Sequence, residues 1–246
     1  MIKNWKKNTI YISLMQFILL SVNFFLITII SRVYGAEMYG EYASSKSLSV
    51  LIGTAAVMSL ALVVTKFLAQ KNKSSKSMFQ NAYALILRNL LISLIILIPL
   101  TLFLKRDLPM TILFLIGFVF NEMIHVALAY YQAKGDFVTS SKQIILRTII
   151  YGLGAWILVI QGFSILSLII FQVITLLIFF AVAHFSIPKN DIDLNSNTTV
   201  KNDLQASGKK MVLTTFSSAL ISELDIVLLG LFYSGSTLGV LAWSRR

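Results

Sequence analysis

Residues 9–30 and 163–185 of this chain contain no Asp, Glu, Lys or Arg. A helix of ~20 apolar residues, rising 1.5 Å per residue, crosses ~30 Å of hydrocarbon, and both runs are long enough. Lipid offers the backbone no hydrogen bonds, so a spanning segment is either a helix or a strand of a closed barrel. Neither run alternates apolar and polar residues with period 2, as a barrel strand does. Five further segments follow the same pattern: 48–65, 81–104 with Arg88 inside, 110–131 with Glu122, 142–160 with Arg147, and 211–233 with Glu223 and Asp225. The expected fold class is all-α, a polytopic transmembrane helical bundle of six helices followed by a seventh.

Composition excludes the alternatives. Hydrophobic residues make up 57% of the chain and charged residues 13%, whereas a soluble domain carries about 25% charged residues. So few charges cannot cover the core of a water-soluble enzyme, and the absence of Cys excludes a disulfide scaffold. A net charge of +11 would suggest nucleic acid as the partner of a soluble protein. Here the basic residues lie between apolar runs, so membrane lipid is the expected partner and nucleic acid is not.

Their placement follows the positive-inside rule. With the N-terminus in the cytoplasm, Lys6, Lys7, Lys71, Lys73, Lys134, Lys142, Lys209 and Lys210 fall inside. Arg32, Lys46, Lys105, Arg106, Arg245 and Arg246 fall outside. The first run exceeds a signal-peptide core and reads as an uncleaved anchor. The division expected is a six-helix unit over 1–185, a polar cytoplasmic linker over 186–208, and the first helix of an incomplete second unit over 209–246.

An offset of 199 residues lays Tyr34, Gly40, Ala43, Ser45 and Lys46 over Tyr233, Gly239, Ala242, Ser244 and Arg245. Such an echo is the mark of a repeat. Parallel repeats related by an axis along the membrane normal are a transporter architecture.

Residues 30–43 (ISRVYGAEMYGEYA) place Arg32, Gly35, Gly40, Tyr42 and Ala43 in a pattern that resembles the first outer loop of polysaccharide-biosynthesis flippases, with Ala36 where Pro is usual. These belong to the multidrug/oligosaccharidyl-lipid/polysaccharide exporter superfamily. Asp225, Leu229-Gly230 and Gly239 are similar to the start of that family's second bundle, and Gly135 and Arg147 to its loop after the fourth helix. The resemblance implies two bundles of about six helices with the cargo path between them, so this chain is expected to be a truncated form ending after the seventh helix. It also implies a bacterial plasma-membrane flippase moving a polyprenyl-pyrophosphate-linked oligosaccharide outward, acting beside other polysaccharide assembly proteins. A cation-coupled multidrug exporter of the same superfamily is the alternative, as is a fragment that only packs against another membrane protein.

Ionisable groups inside spans are costly in lipid and each needs an account. Arg88, Arg147, His125 and Glu122 lie about 8–13 Å from the inner ends of their helices at 1.5 Å per residue. Arg88 and Arg147 serve either as intrabundle counter-ions that reach to the headgroups, or as a cationic site for pyrophosphate, whose oxygens Arg binds bidentately. Glu122 and His125, spaced i,i+3, share a helix face and are candidates for ion coupling. Gln16 and Asn23 on the first helix, and Ser218, Ser222 and Asp225 on the seventh, form polar stripes. Each stripe either glues helices together or lines a wet cleft. Ser45, Ser49 and Gly53 have the small-xxx-small spacing of close helix packing. No phosphate loop, metal-ligand spacing or catalytic carboxylate pair is present, so neither an enzyme nor a cofactor or metal site is expected.

Overall fold

The computed structural model describes residues 5–70, 75–188, 198–233 and 235–244. Its helices are α1 (Trp5–Val57), α2 (Leu60–Ala69), α3 (Ser75–Phe103), α4 (Leu108–Ala133), α5 (Phe137–Ile160), α6 (Ile165–Phe185), α7 (Thr198–Phe232) and α8 (Ser236–Ser244). Among the described residues there is no strand. The chain is an all-α bundle and a multi-pass membrane protein.

At 53 residues, α1 would measure ~80 Å if straight, far beyond one crossing. It turns at Gly35, where φ is 83° and ψ 169°, a conformation open to a residue without Cβ. The first arm (5–34) runs parallel to α5. Asn8 Nδ2 donates to the Gly135 carbonyl (2.9 Å), Val22 meets Gly152, and the Tyr34 hydroxyl donates to the Phe163 carbonyl (2.5 Å). The second arm (36–57) runs parallel to α4, with Ser49 against Thr111 and Gly53 against Leu115 and Phe118. Because α4 and α5 are antiparallel across the turn at 134–136, the two arms point in opposite directions. Among the described residues the six apolar segments therefore make seven crossings, since the longest, Trp5–Ala69, passes twice.

Short capped turns set the other reversals. Asp107 accepts from the Met110 N–H to open α4, Asp136 from Thr139 to open α5, and Ser164 from Ser167 to open α6. Each cap satisfies a helix-start donor that lipid headgroups would otherwise have to meet. One face of the bundle, the amino-terminal face, holds the start of α1 and the α4–α5 turn. The opposite face holds Gly35 and the turns before α4, α6 and α8.

Small residues bring the helices close, as their spacing predicts. The Ser49 hydroxyl donates to the carbonyls of Ser45 (2.8 Å) and Thr111 (2.7 Å), and a Cβ at Gly53 would lie 2.5 Å from the Phe118 ring. The outer surface is greasy: Phe17, Leu20, Leu91, Ile95 and Ile221 are all exposed. Hydrocarbon is the solvent there, so exposure carries no hydrophobic penalty.

The second crossing is broken. Met58 and Ser59 both take positive φ (50° and 51°) between α1 and α2. Beside the break, buried Asn89 of α3 donates to the Ala56 carbonyl (2.9 Å), and Ser59 donates to Thr215 of α7 (2.9 Å). Replacing Asn89 by Leu removes the donor at Ala56 and is expected to cost about 1–3 kcal/mol. Thermal unfolding in detergent would measure it, and an unchanged midpoint would show that the break needs no such support.

The seventh helix begins at Thr198, inside the stretch expected to be a linker. Its polar sequence masks one anchor: Leu204 is fully buried in the core formed by α2, α3 and α4, and Gly208 lies against Met58. Residues 189–197 of that expected linker, and Arg245 of the echo, lie outside the described residues.

The echo has a counterpart in three dimensions. A Cβ on Gly40 would lie 2.9 Å from the Gly235 carbonyl oxygen and 2.9 Å from the Gly239 nitrogen, while one on Gly239 would overlap the Ala36 carbonyl. Ala36 and Gly235 are 199 residues apart, as are Gly40 and Gly239. Ala36 meets Gly239 as Gly40 meets Gly235, the reciprocal pattern of a two-fold contact.

Candidate functional site

Between the two arms of α1 and helices α4, α5 and α6 lies a cavity of about 300 Å³. Its polar lining is Asn23 and Lys46 from α1, Asn121 from α4, Arg147, Thr148 and Tyr151 from α5, and Gln172 and Thr175 from α6. Phe114, Phe118, Leu19 and Leu176 are among the apolar residues of the wall.

Local helix geometry explains which of these groups face the space. Thr148 and Thr175 return their hydroxyls to the carbonyls four residues earlier, Ile144 and Phe171 (2.8 Å each). This satisfies the hydroxyl within its own helix. Arg147 reaches across to α4 and donates from Nη1 to Asn121 Oδ1 (2.7 Å). Asn121 Nδ2 in turn donates to Glu122 Oε1 (3.4 Å). The amide thus stands between the guanidinium and the carboxylate, and Arg147 is within electrostatic reach of both Glu122 and His125. Across the cavity the Tyr151 hydroxyl donates to Gln172 Oε1 (3.5 Å). Lys46 lies 6.0 Å from the Tyr42 ring centroid.

Lys46 and Arg147 therefore line the space, and beside Arg147 the Glu122 carboxylate accepts from Asn121. The amides of Asn23, Asn121 and Gln172 offer both donors and acceptors. Such a lining suits an anionic group or a polyhydroxylated one. An organic cation would meet Lys46 and Arg147 as like charges.

The cavity brings together only some of the residues singled out from sequence. Asn23 and Arg147 line it, with Glu122 and His125 beside Arg147. Arg88 is absent from the lining: it lies exposed on α3, donating from Nη2 to Asn89 Oδ1 (3.2 Å) at the broken second crossing. The two arginines share a depth but belong to separate polar clusters. Gln16 is exposed on the first arm of α1 and does not line the cavity. Ser218, Ser222 and Asp225 are exposed on α7. Ser218 and Ser222 donate to the carbonyls of Thr214 and Ala219, and Asp225 accepts from the Ile226 N–H. Glu223 on the same helix makes an interhelical bond, accepting from Ser47 (2.6 Å).

Lys46, Tyr151 and Gln172 were not foreseen. The signal for Gln172 was a lone amide in an otherwise uncharged span, three residues before Thr175. Lys46 read as the flank of a shorter second helix, whereas that helix begins ten residues earlier. Among the described residues no three His, Asp or Glu side chains gather as a metal site.

On the opposite face Arg106 donates from Nη2 to the Gly230 carbonyl. Burial lowers its pKa and the Glu41 carboxylate opposes that shift. This contact ties the α3–α4 turn to α7 near the Gly40–Gly239 contact.

A model of a family described as polysaccharide biosynthesis protein matches residues 64–246. No curated protein and no solved structure gives a significant match.

Proposed function

This chain belongs to the polysaccharide biosynthesis protein family, and from that premise we propose that it carries a lipid-linked oligosaccharide precursor across the bacterial plasma membrane. The observation that supports this reading is the cavity lined by Lys46 and Arg147 and by the amides of Asn23, Asn121 and Gln172. Arginine binds phosphate oxygens with paired donors, and amides suit the hydroxyls of a sugar. The cavity holds a diphosphate or one sugar ring and is too small for an oligosaccharide, so the sugar chain lies outside it along the bundle. The polyprenyl tail stays in lipid against the greasy outer surface.

In this reading the N-terminus is cytoplasmic, the cargo moves from inner to outer leaflet, and other polysaccharide assembly proteins supply and consume it. The protein performs no covalent chemistry and needs no cofactor.

Depleting the protein in its own host tests the proposal. The expected result is loss of surface polysaccharide, with the polyprenyl-pyrophosphate-linked precursor accumulating in the inner leaflet, and restoration of both on re-expression. A normal leaflet distribution of the precursor after depletion would end this reading.

A further inference from the structure

A second hollow, of about 400 Å³, opens on the amino-terminal face between the start of α1 and the α4–α5 turn. Lys7, Lys134 and Lys142 converge on it, with Asn8, Gly135 and Thr139 around them. From this geometry we infer that the hollow binds the phosphate head group of an anionic membrane lipid.

Three ammonium groups around one space repel one another and favour an anion between them. Among the described residues the one carboxylate in the lining is Asp136, and both its oxygens are engaged at the start of α5. Oδ1 accepts from the Thr139 N–H (3.1 Å) and Oδ2 from its hydroxyl (2.6 Å). The lysines are placed by their neighbours. Lys134 Nζ donates to the Tyr130 hydroxyl (2.5 Å), and Lys142 Nζ sits 5.7 Å from the Tyr11 ring centroid. Asn8 bonded to Gly135 holds the two walls together.

The surface beyond the hollow decides between a lipid and a free anion. Ile10, Leu14 and Phe17 descend from it along α1, and Leu146 along α5, with exposures of 64, 45, 69 and 54%. Acyl chains would lie on these side chains while the phosphate meets the lysines. Basic pockets between helices at the membrane edge hold lipid head groups in this way. The inference is independent of the transport reading, since it concerns a different pocket and any phosphate-bearing lipid.

Native mass spectrometry of the full chain tests it, with phosphatidylglycerol and phosphatidylcholine offered in turn. The expected result is one retained phosphatidylglycerol and no retained phosphatidylcholine. Retention should fall at least tenfold in Lys7→Gln/Lys134→Gln/Lys142→Gln and several-fold in each single variant, all checked for folding by thermal unfolding. Lys7→Arg/Lys134→Arg/Lys142→Arg should retain the lipid, and so should Lys209→Gln/Lys210→Gln, whose lysines lie outside the pocket. Equal retention by the triple Gln variant, or an equal loss in Lys209→Gln/Lys210→Gln, would overturn the assignment. Displacement of the lipid by millimolar inorganic phosphate would overturn its lipid source and leave a free-anion site.

Discussion

Valine at Gly239 is expected to separate α8 from the second arm of α1. The Cβ would overlap the Ala36 carbonyl, and a backbone atom cannot swing aside as a side chain can. Overpacking of this kind costs about 1–3 kcal/mol even in well-buffered cores. The reciprocal variant, Gly40→Val, meets the Gly235 oxygen and the Gly239 nitrogen and should behave alike. Both act on one contact, so the double variant should add little to either single. The chain has no Cys, so spin labels at Glu37→Cys and Thr237→Cys report the separation directly. A short, narrow distance in the parent and a long or broad one in the Val variants is the expected pattern. An unchanged distance and unfolding midpoint in both would mean that the glycines do not hold the two segments together.

Under the proposed transport role, Arg147→Ala should have the largest effect on export. It removes the hydrogen bond to Asn121 and the positive charge facing Glu122. Losing the hydrogen bond leaves the Asn121 amide without its donor beside Glu122, at about 1–3 kcal/mol, so protein stability falls as well as export. The double variant Arg147→Ala/Glu122→Gln separates the two effects. With both charges gone, stability should largely return, while export stays at least tenfold below the parent because the cavity has lost its guanidinium. Arg147→Lys keeps the charge without the paired donors and should fall between. Arg88→Ala, on an exposed side chain outside the cavity, should reduce export less. Full export by the double variant would reduce Arg147 to a counter-ion for Glu122.

The grouping around Arg147 could be read in advance because depth along a membrane helix follows from residue count alone. Arg147, Glu122 and His125 were placed at one level in this way, and they are neighbours. Depth says nothing of azimuth. Arg88 sits at the same level, yet α3 packs against α1, α4 and α7 and carries it to the broken crossing. The Ser218–Asp225 stripe shows the same limit: its spacing identified a face of α7 and not what that face meets. Lys46 was misjudged because the second helix starts at the Gly35 reversal, well before its apolar run.

The amino-acid sequence alone determined the all-α class, the apolar segments that cross the membrane and the glycine echo. In hydrocarbon a backbone has no partner but itself, so apolar length dictates helix and count. Only the tertiary structure decided that Arg147 meets Asn121 while Arg88 meets Asn89, that a polar stretch from Thr198 folds onto the bundle through Leu204, and that Gly40 faces Gly239. These depend on how each helix is rotated against its neighbours. In lipid that rotation is chosen by the fit of small residues at contacts, which no single segment carries by itself.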